Sequence, residues 1–198
     1  MDRVMCLVRS PQPPREADWV VQRVACLRGV SLLLVEAGEM FRAIEVGLEL
    51  GVHVAGGVGF RAPVIADSRG DADGEFGVPR PSSVLLLMPQ ADPEDLLWCA
   101  FRVPAIAERI GASLDVVRGN LSLSSWRSMD DLPKLEMALL EQPPSVIVMP
   151  LALAVAGGLE PLRERLLQMA GELESAVVIV EALTPADMDR VIEGVQGE

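Results

Sequence analysis

Short apolar runs rich in Val, Ile and Leu alternate along this chain with apolar stripes at helical spacing, and glycine and proline separate them. Val4 to Val8 predicts a strand. Pro11, Pro13 and Pro14 make a stiff loop that leads into a predicted helix carrying Trp19, Val20, Arg23, Val24 and Leu27, which Gly29 stops. Ser31 to Val35 predicts the second strand, and Met40 to Leu50 a helix closed by Gly51. Val52 to Ala55 and Pro63 to Ala66 each read as a short strand.

The second half has clearer punctuation. Val84 to Met88 predicts a strand. Asp92-Pro93-Glu94-Asp95 then starts a helix: Asp92 suits the cap, Pro93 the first turn, and the acids the positive end of the dipole. Pro104 is expected to kink or split this helix, and Gly111 to end it. Leu114 to Val117 predicts the next strand, followed by a loop over Gly119 to Arg127. Ser128 and Asp131 have capping-box spacing before a helix that Pro143-Pro144 stops. Ser145 to Met149 reads as a strand, Pro161 to Glu174 as a helix and Ala176 to Val180 as a strand, with Thr184-Pro185-Ala186-Asp187 capping the last helix. Strands alternating with helices predict an α/β fold, a mostly parallel Rossmann-like sheet with helices on both faces.

Residues 67–83 interrupt the alternation with Gly70, Gly74, Gly77, Pro79, Pro81 and several charges. That composition predicts a linker over 68–82 between an α/β half at 1–67 and a second at 83–198. Gly29-Val30-Ser31-Leu32 in the first half echoes Gly111-Ala112-Ser113-Leu114 in the second. A duplication and the turn chemistry shared by all βαβ units both account for the echo.

Composition separates a membrane protein from a heavily buried sheet. Half of the 198 residues are hydrophobic and mean hydropathy is +0.32. No run reaches the roughly 18–20 uncharged residues of a spanning helix, and the longest, Ser145 to Leu159, is broken by Pro150. Asp2, Arg3 and Arg9 bracket too short an apolar stretch for a signal peptide, so a cytoplasmic location is expected. A net charge of −12 argues against nucleic acid and against anionic lipid surfaces. Cys6, Cys26 and Cys99 have no disulfide or zinc spacing and read as buried free thiols.

Several stretches of the second half carry a family likeness. They are Ser83-Val84-Leu85-Leu86-Leu87-Met88, the helix-to-strand passage from Ala107 to Val117, Ser145-Val146-Ile147-Val148-Met149, and Gly157-Gly158-Leu159 with Ala176-Val177-Val178-Ile179-Val180. They resemble the strands and connections of the universal stress protein family, over about residues 83–183. The first half resembles it only in its opening βαβ unit, as a degenerate second copy would. Members that bind ATP have a glycine-rich loop after the fourth strand and a Gly-Ser or Gly-Thr pair further on. Gly157 and Gly158 match the loop, whereas the later pair falls near Leu167-Gln168 and the acid expected directly after the first strand is missing from Pro89-Gln90-Ala91-Asp92. The departure points to the branch of the family that acts without ATP, so no cofactor is expected. The resemblance implies a homodimer or a protein partner, and a tether to the cytosolic side of a membrane transporter.

Candidate chemistry is sparse. His53 is the only histidine, and its Val52-His53-Val54 setting reads as structural. Gly57-Val58-Gly59-Phe60-Arg61-Ala62 fits GxGxxA, but the residues after it read as a strand where a dinucleotide site needs a helix. Asp71, Asp73 and Glu75 lack the rest of a calcium loop, and Asp130-Asp131 suits a helix start. Ligands of open α/β sheets bind beyond the carboxyl ends of the strands. Gln90, Asp92, Gly119, Asn120, Gly157 and Gly158 are expected on that edge and are the candidate cofactor-binding residues. No catalytic and no metal-binding residue is expected.

These readings favour a non-catalytic regulatory or interaction domain. The alternatives are an adenine-nucleotide-binding switch or weak ATPase, and a Rossmann-type NAD(P) oxidoreductase. The apolar strand at Ala176 to Val180 is expected either inside the sheet or paired with an equivalent strand of a second chain or of the first half.

Overall fold

The computed structural model describes residues 4–10, 12, 14–36, 40–61, 75–89, 91–126, 132–151 and 159–189. In chain order the elements are β1 (Val4–Arg9), β2 (Trp19–Val21), β3 (Ala25–Cys26), β4 (Val30–Glu36), α1 (Met40–Gly56), β5 (Phe60–Arg61), β6 (Glu75–Phe76) and β7 (Val84–Pro89). There follow α2 (Pro93–Ile110), α3 (Leu114–Asn120), β8 (Leu121–Trp126), α4 (Leu132–Leu139), β9 (Val146–Leu151), α5 (Leu159–Glu172) and β10 (Ala176–Leu183).

Six strands form one sheet in the order β1-β4-β10-β9-β7-β8. The last five run parallel, and β1 lies antiparallel against β4. Helices cover both faces, as the alternation of apolar runs and helical stripes predicts. One face packs α1, α2, α3 and the small β2–β3 hairpin over Leu33, Val148 and Val178. The other packs α5, with Leu135 and Leu139 of α4, over Ile147, Met149 and Ile179. Among the described residues, no helix is long and apolar enough to cross a membrane.

β10 occupies an interior position. Val177 to Leu183 pair with Val30 to Glu36 of β4, and Ala176 to Glu181 pair with Val146 to Leu151 of β9. Both backbone edges of the strand are used, so it has no edge left for a second chain. Strands from before and after the expected linker therefore share one sheet. The linker's residues 68–74 lie outside the described residues, and beyond them Phe76 and Val78 are buried.

Four local expectations are corrected. The helix expected over 19–27 is the β2–β3 hairpin, with Trp19 opposite Cys26. Arg23 and Arg28 adopt positive φ (63° and 61°), which no helix accommodates, and Trp19-Val20-Val21 favours extended backbone. Helix α1 does not stop at Gly51 but runs on through the expected strand at 52–55. Gly51 faces the sheet: a Cβ there would meet Leu121 at 3.4 Å, so the glycine permits a close approach. Gly57, at φ 70°, follows the helix instead. The expected strand at 114–117 is helix α3, with Ser113 at its cap position, and the expected loop contains β8, where Leu121-Ser122-Leu123-Ser124 alternates with period two. Pro104 lies inside an unbroken α2. Gly29-Val30 thus opens a strand and Ser113-Leu114 a helix, which removes the structural basis of their echo. The expected strand at 63–66 and the Ser128 and Asp131 cap lie outside the described residues.

Candidate functional site

The strand order reverses direction at β7. The chain passes from β7 outward to β8, then crosses to β9 on the other side of β7 and continues to β10. At such a reversal the connections leave the carboxyl ends of neighbouring strands in opposite directions and open a crevice. The crevice here lies beyond the ends of β7 and β9. Asp92, just past β7, stands on that edge. Gln90, Gly157 and Gly158 lie outside the described residues.

Asp92 is committed to its own helix. Its Oδ1 accepts the N–H groups of Glu94 (2.8 Å) and Asp95 (3.0 Å), and Asp95 Oδ2 accepts the Asp92 N–H at 3.1 Å. This capping box satisfies the α2 N-terminus with carboxylates. It also surrounds that terminus with Asp92, Glu94 and Asp95, all exposed.

Gly119 and Asn120 are not on this edge. They end α3 and precede β8, whose first residue Leu121 is level with Val84, the first of β7. They therefore stand at the amino edge of the sheet, about 20 Å from the crevice at the usual rise of a strand. The sequence points to the wrong edge because Leu114 to Val117 has the composition of a strand and folds as a helix. Asn120 is structural. Its Nδ2 donates to the carbonyls of Ala55 (3.2 Å) and Val116 (3.0 Å), tying the ends of α1 and α3 together. An open groove of about 330 Å³, between Leu27, Leu140, Pro144 and Glu172, also lies toward the amino ends of β9 and β10.

The structure adds one residue to the site, Glu181. It lies near the carboxyl end of interior strand β10, level with Leu34 of β4 and Leu151 of β9. It shares a sheet face with Ile179 and Leu183, toward the α5 layer. It is 2% exposed, and its Oε1 has no hydrogen-bond partner among the described residues. Burial pushes its carboxyl up to about 7. Unpartnered buried carboxyls are rare in cores and concentrate at functional sites. The sequence signal for it was a lone acid in the apolar run from Ala176 to Leu183. At the end of β8, the buried indole Nε1 of Trp126 likewise has no partner among the described residues.

No protein-family model matches this chain, and no curated protein matches it.

The remaining reactive groups have structural settings. His53 lies in α1, not a strand, and its Nδ1 is 3.2 Å from the Val58 carbonyl, with its ring edge-on to Phe60. Burial lowers its pKa, which favours a neutral ring that locks the end of α1. Burial pushes the Cys6 thiol up to about 12 and the Cys99 thiol up to about 11, and it also raises that of Cys26. Thiols so shifted stay protonated and are poor nucleophiles. Glu136 of α4 pairs with Arg165 of α5; burial first, then a hydrogen bond with Glu172, raises its carboxyl. The GxGxxA stretch begins at the end of α1 and enters β5, which pairs with β6, so it follows a helix where a dinucleotide fingerprint follows a strand. Among the described residues, no three His, Cys, Asp or Glu side chains cluster as metal ligands.

Proposed function

We propose that this chain is a non-catalytic regulatory or interaction domain, which acts by binding a second copy of itself or a protein partner. The setting that the universal stress protein resemblance implies is the cytosolic side of a membrane transporter. The observation that carries this reading is the acid-capped N-terminus of α2. In nucleotide-binding α/β domains, helix N-termini at the crevice supply free N–H groups and positive potential to phosphates. Here the Asp92 carboxylate already accepts the N–H groups of Glu94 and Asp95. A triphosphate approaching this terminus would meet Asp92, Glu94 and Asp95 and would have to displace an existing cap. The shifted thiols and the capped imidazole agree with a domain whose side chains hold a fold rather than a reaction.

Titration calorimetry with ATP and ADP tests the reading. The expected result is no binding heat at millimolar nucleotide, and saturable heat would overturn it. An adenine-nucleotide switch is the second reading, and the strand reversal at β7 favours it, because that is where open α/β sheets take ligands. It requires phosphate contacts away from the α2 N-terminus.

A further inference from the structure

The groove at the amino ends of β9 and β10 is built where two turns meet, and each turn holds a non-glycine residue in the left-handed region. α5 closes in a Schellman motif: the Ser175 N–H donates to the Ala170 carbonyl (3.0 Å) and the Glu174 N–H to that of Gly171 (3.4 Å). The residue that turns such a motif is usually glycine, because its φ is positive. Here it is Glu174, at φ 52°. Opposite lies Arg28, at φ 61°, whose N–H donates to the Ser175 carbonyl at 2.8 Å. Its guanidinium pairs with the Glu174 carboxylate, and both side chains are more than half exposed. An ion pair so exposed is screened by water and contributes little, which does not offset two left-handed side chains. Strain of this kind collects where a side chain has a task beyond the fold.

The walls of the groove are held in place. Pro143 and Pro144 form one of them, and Ser145, next in the chain, donates its N–H to the Ser83 hydroxyl at 2.9 Å. The Ser175 hydroxyl donates to the Pro144 carbonyl at 2.6 Å and ties this wall to the Glu174 turn. Leu27, Leu140 and Leu173 add apolar surface, and Leu140 is 53% exposed. The charged side chains of the lining are Glu172 and Glu174. The Gln168 amide donates to the Glu172 carboxylate at 2.8 Å. That hydrogen bond first, and one with Glu136 second, hold Glu172 below the ordinary carboxylate range, so it is ionised at neutral pH. Glu141, beside Leu140, is a further exposed acid.

We propose that this groove docks a basic segment of a protein partner, in which a lysine or arginine stands beside a large apolar residue. The apolar side chain packs against Leu140 and the two prolines, and the cation meets Glu172 and Glu174. This rests on the interaction reading above and specifies the partner's chemistry. Charge complementarity selects the occupant: a second copy would bring a net charge of −12 to the same carboxylates, whereas a basic segment is drawn to them. A carboxylate has lone pairs for more than one cation, so the pairing with Arg28 does not exhaust Glu174. Walls that are already fixed lose little freedom on binding.

Selection from an array of random short peptides tests the groove, followed by fluorescence anisotropy of the selected peptides against variants. The selected peptides are expected to set Lys or Arg beside Leu, Ile or Phe, and to bind less tightly as salt rises. Glu174→Gly is expected to weaken binding about fivefold. Because glycine suits the left-handed turn, the same variant is expected to keep or raise the thermal midpoint. Glu172→Gln is expected to weaken binding by a similar factor with an unchanged circular dichroism spectrum. Glu108→Gln, which removes an exposed acid on α2, is expected to leave binding unchanged and so separates the groove from the overall negative charge. A Glu174→Gly chain that melts earlier and binds as before would mean that the residue serves the fold, and overturns the proposal. So does a selection that yields no basic peptides, or binding that survives both Glu174→Gly and Glu172→Gln. Peptides that bind away from the groove leave the interaction reading standing, and the nucleotide calorimetry decides that reading separately.

Discussion

Val178 of β10 lies level with Ser31 of β4 in a parallel ladder, so residues 147 positions apart in the chain sit side by side in the interior of one sheet. On its other side Val178 is level with Val148 of β9, and its side chain is fully buried in the cluster shared with Val180, Leu33 and α1.

Val178→Lys is therefore expected to unfold the chain rather than dissociate an oligomer. A lysine ammonium there has no partner and no route to water, and burying an isolated charge costs several kcal/mol. Val178→Ala removes two methyl groups and is expected to cost about 2 kcal/mol. Circular dichroism and urea denaturation check both variants. A folded, monomeric Val178→Lys chain would contradict the interior placement of β10.

Glu181 makes stability fall as pH rises. Its carboxyl is raised to about 7 in the folded chain by burial, above the ordinary value of 4.5. Below pH 4.5 it is protonated in both states and imposes no penalty. Between 4.5 and 7 the unfolded chain ionises it and the folded chain does not, so its penalty grows with pH and is complete above 7. The full effect is on the order of 3 kcal/mol. Glu181→Gln keeps the shape and removes the titration. Urea denaturation at about pH 5 and about pH 8, on either side of that window, is expected to show the variant gaining on the wild type at the higher pH. Equal gains at both values would show that Glu181 is not the group responsible.

Gly57 and Gly111 separate backbone strain from steric conflict. Both have positive φ, 70° and 73°. A Cβ at Gly57 would lie 2.6 Å from Pro81, whereas nothing stands within 4 Å of one at Gly111. Gly111→Ala is expected to cost about 1 kcal/mol, the usual penalty of a left-handed residue with a side chain. Gly57→Ala is expected to cost clearly more, because the loop at Pro81 must also move. Thermal melts of the two variants give the comparison, and equal losses would mean that the Pro81 contact relaxes freely.

Long apolar runs and local chemistry were legible in the sequence. β4, β7, β9 and β10 appear there as Val-, Leu- and Ile-rich runs, because strands covered on both faces need apolar side chains at every position. The start of α2 was legible because Asp92, Pro93 and Asp95 act within one helical turn, and its end because only a glycine takes φ 73° at 111 without strain. The segments that fold otherwise are short and ambiguous in period. Val52-His53-Val54 suits a strand by composition, yet the buried face of α1 needs the same residues, and Leu114 to Val117 is one helical turn with a strand's composition. β8 is hard to see in the sequence because three serines lower its apolarity, and an edge strand partly open to solvent permits that.

By itself the sequence determined an α/β alternation with parallel strands, since each apolar run is followed by an amphipathic stretch that can cover it. Only the tertiary structure decided that β10 sits between β4 and β9, that Gly119 and Asn120 belong to the amino edge, and that β8 lies outermost beside β7 among the described strands. The physical reason is that strand neighbours are chosen by backbone ladders between residues distant in sequence, which impose no local spacing on the chain. The same is true of Glu181: its identity is written in the sequence, but its burial comes from what packs around it.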